Sequence, residues 1–277
     1  MPGGIGEPEL KPRPPIKWAG GKTQLISQFK PLFPKVKYHL YVEPFVGGGA
    51  VFFHLLPIRA ILMDSNEELI NFYLVVRDSL EDLLKDLKRH QNTPEYYYRI
   101  RALDPENLSP VERASRFLYL NKTAYNGLWR VNSQGRHNVP FGRYKNPKIV
   151  DEINLRRVSL ALKRAEIFCS DFSLSLEYAS PGVFIYLDPP YYPLSETANF
   201  TGYTPAAFGV EDQLRLAAVF KELDRKGCLV MLSNSDTPFI RQLYAGYDIR
   251  TVVARRAINC RGDRRGPVVE LVIRNYW

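Results

Sequence analysis

The chain lacks any apolar run long enough to cross a bilayer, and its first fifteen residues lack an apolar signal-peptide core. It has only three cysteines, Cys169, Cys228 and Cys260, which are far apart and show no C-x-x-C spacing. This scarcity argues against a disulfide framework or a cysteine-based metal site, and it favours a reducing compartment. We therefore predict a cytoplasmic protein with no membrane partner and no metal.

The composition is that of a folded, basic protein. Of the 277 residues, 45% are hydrophobic and 13% aromatic, which is typical of a globular chain. The formal net charge is +9. Such a charge keeps a protein soluble, and it also suits a polyanionic partner such as nucleic acid. Composition leaves both interpretations open.

The most informative motif is Asp188-Pro189-Pro190-Tyr191, which follows the apolar run 183–187. The run and the two prolines predict a buried strand that stops abruptly. Because proline has no N–H, each leaves a carbonyl oxygen free to accept a hydrogen bond from elsewhere. At the carboxyl edge of an α/β sheet, a carboxylate, free carbonyls and an aromatic face suit an exocyclic amine on a flat heterocycle. The alternative is an ordinary Asp-Pro turn.

A glycine-rich turn lies between two predicted strands. Residues 41–46 predict the first strand, Gly47-Gly48-Gly49 the turn, 50–56 a helix and 59–63 a second strand that ends in Asp64. This order is typical of the first half of a nucleotide-binding sheet, where such an acid binds a ribose hydroxyl. The turn lacks the third glycine of the dinucleotide fingerprint, and no phosphate-binding lysine follows it. Helix capping is the alternative role for the acid.

Helix signals dominate the middle of the chain. Ser65 and Glu68 predict a capping box, which favours ribose binding by the acid before them. The leucine spacing of residues 80–87 and the capping residues 109–112 predict two more helices. Residues 121–147 are rich in Asn, Gly, Tyr, Arg and Lys without a regular period. We interpret them as an exposed functional loop or hairpin.

The later chain returns to alternating strands and helices, which defines the domain organisation. We predict a helix at 212–225 and strands at 228–233, 247–256 and 268–276, the last two flanking a basic loop. The predicted fold is an α/β, Rossmann-like core of residues 16–71 and 164–277, interrupted by a helical and hairpin insertion at 72–163, with a flexible N-terminus at 1–15.

Two further motifs are ambiguous on their own. The cluster Lys17-Trp18-Ala19-Gly20-Gly21-Lys22 suits a ligand with a carboxylate or an adenine ring, or else an entry loop in which Trp18 anchors the core. Asp171-Phe172 follows a short apolar run. It suits an adenine held between a carboxylate and a ring, or else a turn at a strand end.

Together these motifs resemble the Dam-type (D12 class) DNA adenine N6-methyltransferases. The family's K-W-x-G-G-K, E-P-F-x-G-x-G and D-P-P-Y stretches correspond to residues 17–22, 43–49 and 188–191, in that order. Residues 125–132 and 138–144 look like the family's recognition hairpin, and 232–235 match a family strand. The resemblance extends from residue 15 to 276, and it is greatest to members that methylate adenine in GATC. Departures are Trp129 and residues 260–265, which are more arginine-rich than is usual in the family.

The resemblance implies methyl transfer from S-adenosyl-L-methionine to N6 of an adenine flipped out of double-stranded DNA, leaving S-adenosyl-L-homocysteine. It implies catalysis by Asp188, Pro189, Pro190 and Tyr191. It implies cofactor binding by Trp18, Gly20, Gly21, Lys22, Glu43, Pro44, Phe45, Gly47, Gly49, Asp64, Asp171, Phe172 and Asp188. It implies DNA binding by Lys17, Tyr125, Asn126, Leu128, Arg130, Asn132, Pro140, Arg143 and Tyr144. The resemblance also implies a nucleoid-associated enzyme, which acts either without a restriction endonuclease or beside one that acts separately.

Three other functions compete with this interpretation. The first is methylation of another amine, such as N4 of cytosine or an adenine in RNA; Asp188 and the hairpin favour adenine in duplex DNA. The second is a nicotinamide oxidoreductase, against which the missing third glycine counts. The third is a DNA-binding module without catalysis, against which the intact Asp188–Tyr191 motif counts.

Overall fold

The structure is a computed structural model that describes residues 11–194, 208–255 and 267–277. At its centre is a seven-stranded sheet with the order β3-β2-β1-β4-β5-β7-β6. Strands β1 to β5 are parallel, whereas β7 runs antiparallel to both β5 and β6. This arrangement confirms the predicted α/β, Rossmann-like fold. The strands are β1 Leu40–Glu43, β2 Ala60–Asp64, β3 Ala165–Cys169, β4 Val183–Leu187, β5 Leu229–Ser235, β6 Asp248–Arg255 and β7 Pro267–Arg274.

The central strands are buried because helices cover both faces of the sheet. Every residue of β1 and β4 is buried, as expected for parallel strands with near-continuous apolar sequences. The predicted first strand is too long, since it ends at Glu43; the next residue, Pro44, has no N–H with which to extend the ladder. The strand order reverses between β1 and β4, so the loops after these two strands meet at the ligand-binding edge.

Helices flank the sheet, and most of the predicted helix starts are confirmed. Ser109 and Glu112 form the predicted capping box. The predicted box at Ser65 and Glu68 is wrong: Asn66 caps the helix by accepting from the Leu69 N–H, because Asn66 is the residue that lies one position before the first helical turn. The helices are α1 Ile26–Phe29, α2 Ala50–Leu55, α3 Glu67–Asp78, α4 Leu80–Leu87, α5 Pro94–Ala102, α6 Pro110–Thr123, α7 Glu152–Leu162, α8 Val210–Arg225 and α9 Pro238–Leu243.

The helices between β2 and β3 share a hydrophobic core with one face of the sheet. Phe72 of α3 packs against Phe117 of α6 with ring centroids 5.5 Å apart. The same buried cluster includes Tyr41 and Phe184 from the central strands. Helix α3 contacts α6, α7 and β3. The predicted insertion therefore packs directly on the sheet layer.

Residues 124–144, called the hairpin below, form an irregular two-stranded loop. Two isolated bridges, Ala124↔Phe141 and Val131↔His137, hold its arms together and confirm the predicted hairpin. The expectation of exposure is wrong for its inner side, because Trp129 is only 4% exposed and packs against Phe117 with the ring centroids 4.4 Å apart. An apolar ring in this position fixes the hairpin to helix α6.

The N-terminal segment and the last two strands complete the described chain. The backbone N–H and carbonyl of Arg13 both bond the Asn154 side chain, each at 2.9 Å. Among the described residues, no helix combines the length and apolarity needed to cross a membrane. The first ten residues, Cys260 and nearly all of the arginine-rich stretch between β6 and β7 lie outside the described part of the chain.

Candidate active site

A cavity of about 470 Å³ opens at the carboxyl ends of β1, β2 and β4. The structure brings four of the predicted motifs to its wall, and adds α8 and β7. The lining includes residues 18–22, 43–51, 64–66, 170–172 and 188–194, together with Asp212, Arg215, Ser235 and Glu270. Its position at the point where the strand order reverses is where open α/β sheets bind their ligands.

The glycine turn is shaped around Asp64 and Trp18. The N–H of Gly47 donates to Asp64 Oδ2 at 3.0 Å, and the Asn66 N–H donates to Oδ1 at 3.0 Å. Gly47 has φ +45°, and a Cβ there would lie 2.7 Å from Trp18 Cδ1, so no other residue fits. Each carboxylate oxygen accepts a backbone N–H and still has a lone pair for a ligand.

Burial shifts the pKa values of several carboxyl groups in the pocket out of their usual range. Burial raises the pKa of Asp64 to about 6, against the opposing effect of its backbone hydrogen bonds. Burial raises the pKa of Asp188 to about 6, and the neighbouring Lys22 ammonium opposes the shift. The pKa of Glu43 is also raised well above its usual value by burial, and its carboxyl accepts from the Tyr41 hydroxyl at 2.8 Å. Perturbed carboxyls in one cavity are characteristic of a functional site.

Lys22 connects the first motif to the last. Its ammonium lies 3.0 Å from Asp188 Oδ1, bonds the Gly20 carbonyl, and is 4.6 Å from the centre of the Tyr191 ring. The lysine side chain is almost fully buried, so its charge is balanced by these neighbours instead of by water. The Asp188 carboxylate is thereby held at the cavity wall.

The loop after β4 is fixed by a buried amide network that sequence reasoning missed. Gln213 Nε2 donates to the Pro190 carbonyl at 2.9 Å, and Gln213 Oε1 accepts from Asn234 Nδ2 at 3.0 Å. The Tyr192 N–H donates to Asn234 Oδ1 at 3.1 Å. The Pro190 carbonyl accepts a hydrogen bond from elsewhere in the protein, as predicted, and is therefore not free for a ligand. The Pro189 carbonyl accepts no hydrogen bond from the described residues. A glutamine on the apolar face of α8 was the available signal.

The Asp171-Phe172 motif already has a partner in this structure. Arg215 of α8 donates to both oxygens of Asp171 at 2.9 Å, and its guanidinium lies 4.3 Å from the centre of the Phe172 ring. Phe45 stacks on Phe172 with centroids 5.4 Å apart. An aromatic surface and an engaged carboxylate thus lie side by side at this end of the cavity.

The predicted DNA-binding residues gather beside the cavity. Buried Asn121 binds the backbone N–H and carbonyl of Lys17, at 2.9 and 2.7 Å, and also the Gly127 carbonyl, at 3.3 Å. The Lys17 ammonium lies 5.1 Å from the centre of the Tyr144 ring. The first motif and the hairpin are thus in direct contact.

The predicted hairpin residues differ in what they present to solvent. The exposed ones are Tyr125, Arg130, Pro140 and Arg143, whereas Asn126 and Tyr144 are half-buried. Leu128 packs against the core, and Asn132 Oδ1 accepts from the Gln134 and Arg136 N–H groups, both at 3.0 Å. Leu128 and Asn132 therefore have structural contacts within the protein.

A Rossmann-like sheet with an antiparallel seventh strand, a glycine turn and an acidic pocket defines an α/β methyltransferase. The chain belongs to the D12 class N6 adenine-specific DNA methyltransferase family, whose model matches residues 18–258. It is therefore an adenine-specific DNA methyltransferase. Membership of the family excludes the oxidoreductase and the non-catalytic module, and it implies S-adenosylmethionine as the methyl donor. No group of three or more His, Cys, Asp or Glu side chains in the described ranges is arranged to bind a metal.

Relatives match nearly the full chain. It is 44% identical to the type II methyltransferase M.MjaIII of Methanocaldococcus jannaschii, over 96% of this chain and 100% of the relative. It is 45% identical to the type II methyltransferase M1.LlaDCHI of Lactococcus lactis subsp. cremoris, over 95% of each chain. It is 38% identical to the DNA adenine methylase of Escherichia coli K12, over 93% of each chain.

Proposed function

We propose that the protein binds S-adenosylmethionine in this cavity and methylates N6 of the adenine in GATC, after that adenine is flipped out of duplex DNA. The observation that supports this most directly is that the Asp188 carboxylate and the Pro189 carbonyl, which accepts from none of the described residues, lie next to the Tyr191 ring at the cavity wall. Two acceptors and an aromatic face match the amine and the plane of adenine.

The residues of the cavity suit S-adenosylmethionine. Asp64, at the end of β2, has lone pairs left for a ribose hydroxyl, and the rings of Phe45 and Phe172 suit the cofactor's adenine. The glycine turn at 47–49, against which Trp18 packs, would bring backbone close to the methionine part, and residues 20–22 also line the cavity. When bound, the cofactor supplies a methyl group on a positively charged sulfur. The buried carboxyls favour such a cation.

The protein's contribution to the chemistry is placement. The N6 lone pair of adenine is delocalised into the ring, which makes N6 a poor nucleophile. If Asp188 and the Pro189 carbonyl each accept one N6–H, the nitrogen becomes pyramidal and its lone pair points at the methyl group. Alignment and a preorganised negative charge then lower the barrier without a covalent intermediate. Tyr191 supplies the surface on which the flipped base stacks.

The rate of methyl transfer should depend on the charge of Asp188. Because burial raises the pKa of Asp188 to about 6, the carboxylate becomes protonated as the pH falls through about 6, and the rate should fall with it. The bound sulfonium favours the charged form of Asp188. The acid limb of the pH profile of kcat should therefore lie at lower pH than the acid limb of the profile of kcat/KM. Methylation of an oligonucleotide duplex from about pH 5 to about pH 8 measures both limbs. Rates that stay constant across this range would contradict the role of Asp188.

The hairpin is proposed to read the DNA. Lysines and arginines bind phosphates and fix the register, whereas a few side chains contact base edges. Arg130 is exposed, and Asn138 Oδ1 accepts from its Nε at 2.8 Å. This bond leaves the two terminal nitrogens of the guanidinium to donate in parallel, which is the geometry of a bidentate guanine contact. Tyr125, exposed at the start of the hairpin, is placed to fill the space left by the flipped base.

Replacing Arg130 by alanine tests this assignment. A guanine contact predicts a loss of about 1–3 kcal/mol at the cognate duplex, with relaxed discrimination at one base pair. Arg136, in the turn of the same hairpin, is the matched control, and its alanine variant should weaken binding on all sequences equally. Titration against the cognate and singly substituted duplexes at several salt concentrations separates the two. Uniform weakening by Arg130→Ala, with a flatter salt dependence, would assign Arg130 to a phosphate.

The recognition sequence can be tested directly. Plasmid DNA incubated with the protein and S-adenosylmethionine should become resistant to a nuclease that cuts only unmethylated GATC, and sensitive to one that cuts only the adenine-methylated site. Two relatives are named type II methyltransferases, which supports a protective role beside a restriction endonuclease. Methylation at another sequence would retain the enzyme activity and overturn GATC.

A further inference from the structure

The loop that contains Tyr191 is fixed on both sides of that residue. The Pro190 carbonyl accepts from Gln213 at 2.9 Å, before the tyrosine. After it, the Tyr192 N–H donates to Asn234 at 3.1 Å, and the Tyr192 carbonyl accepts from Ser235 Oγ at 2.7 Å. These bonds set the backbone of Tyr191 but leave the direction of its side chain undetermined. A separate contact fixes where the ring lies.

That contact comes from β7, the strand next to β5. The Tyr191 hydroxyl donates to Glu270 Oε2 at 2.8 Å. Glu270 lies in β7, in register with Ser235 of β5 and Val252 of β6, so its backbone is held between two strands. Burial and the nearby Asp188 and Glu270 carboxyls raise the pKa of Tyr191 well above its usual value, so the hydroxyl stays protonated and donates. The bond is therefore a rigid link between the sheet and the ring.

We propose that Glu270 is a positioning residue for methyl transfer, which holds the Tyr191 side chain in the place required to stack the target adenine beside Asp188. This inference rests on the proposed function, since it takes Tyr191 as the stacking surface. Sequence reasoning did not identify Glu270, because only the antiparallel β7 brings it to the cavity.

Glu270 also acts on Asp188 through its charge. Its carboxylate raises the pKa of Asp188, against the effect of Lys22. Glu270→Gln removes this charge but keeps an oxygen that accepts from the Tyr191 hydroxyl. We therefore expect the amide to recover most of the rate that an alanine loses, and to shift the acid limb of the pH–rate profile to lower pH. The shift reports the lost charge, whereas the recovered rate reports the hydrogen bond to the Tyr191 hydroxyl.

The experiment compares single-turnover methylation by four variants: Glu270→Ala, Glu270→Gln, Tyr191→Phe and the double variant Glu270→Ala/Tyr191→Phe. Loss of the bond from either side should slow the reaction about tenfold, while the dissociation constant for S-adenosylmethionine stays within about twofold. The double variant should be no slower than the slower single variant, because both substitutions remove the same contact. Glu166→Ala, which removes an exposed glutamate of edge strand β3, is the matched control. Thermal melts report whether each variant is folded.

The outcomes separate this inference from the proposed function. If the wild-type protein and the Glu166 control methylate no adenine in duplex DNA, the proposed function fails before the variants are compared. If they do, wild-type rates in Glu270→Ala would overturn the positioning role, as would multiplicative losses of about a hundredfold in the double variant. Weaker cofactor binding by Glu270→Ala but not by Tyr191→Phe would instead make Glu270 a direct ligand of the cofactor.

Discussion

Replacing Asp188 by alanine should lower the single-turnover rate of methyl transfer at least about a hundredfold, or ~2.7 kcal/mol in the barrier. The substitution removes the acceptor that we propose orients the amine, and it leaves the Lys22 ammonium buried without its partner 3.0 Å away. DNA affinity should remain near that of the wild type, because the hairpin that we propose to hold the DNA is built from other residues.

The matched control is Asp236→Ala, which removes a carboxylate just beyond β5 that pairs with Arg241 at 2.6 Å. It should methylate at the wild-type rate. Fluorescence titration with DNA and with S-adenosylmethionine shows whether the Asp188 variant still binds both. An Asp188→Ala enzyme with more than about a tenth of the wild-type rate, a change of only ~1.4 kcal/mol, would contradict the assigned role.

Replacing Trp129 by alanine should reduce the free energy of unfolding by about 3–5 kcal/mol, the range for a buried aromatic side chain. The indole fills the space between Phe117 and His137, with ring centroids 4.4 and 4.7 Å away. Its loss leaves a cavity under the hairpin and loosens the arms that present Arg130. Discrimination between DNA sequences should therefore fall more than the rate on a saturating cognate duplex.

Trp277→Ala is the matched control, because it makes the same substitution at an exposed position. Its side chain is 86% exposed, so Trp277→Ala should change the free energy of unfolding by no more than about 0.5 kcal/mol. Urea unfolding of both variants, followed by circular dichroism, makes the comparison. A loss of less than about 1 kcal/mol for Trp129→Ala would mean that the hairpin is held by its backbone bridges alone.

The sequence predicted those parts of the fold that depend on local patterns. The apolar run of β4, the leucine spacing of α4 and the capping box at Ser109 each determine a structure within about one helical turn or one strand. The same holds for the pocket motifs, because the carboxyl ends of β1, β2 and β4 meet once the strand order is known. Family resemblance supplied the Rossmann-like fold, and the structure supplied the order.

Contacts between distant elements were not predictable in this way. Arg215 and Gln213 approach the cavity from α8, and Glu270 approaches from β7, which joins the sheet antiparallel. Apart from the place of Gln213 on the apolar face of α8, nothing in their local sequence distinguishes them from ordinary polar residues. The N-cap of α3 was also not predictable from the sequence. Ser65 and Asn66 both suit the role, and the backbone geometry selects Asn66.

The hydrophobic core shared by α3, α6 and the sheet limits how sequence specificity can be exchanged between relatives. A recognition segment joined by a flexible linker can be transplanted whole. Here a donor segment must also bring side chains that fit Phe72 and the central strands, or the catalytic sheet loses part of its own packing. Chimaeras that cut within α3 should aggregate, whereas replacements confined to exposed hairpin side chains such as Arg130 leave this core intact. The DNA specificity of this chain should therefore change more readily by single substitutions on the hairpin than by exchange of the whole segment.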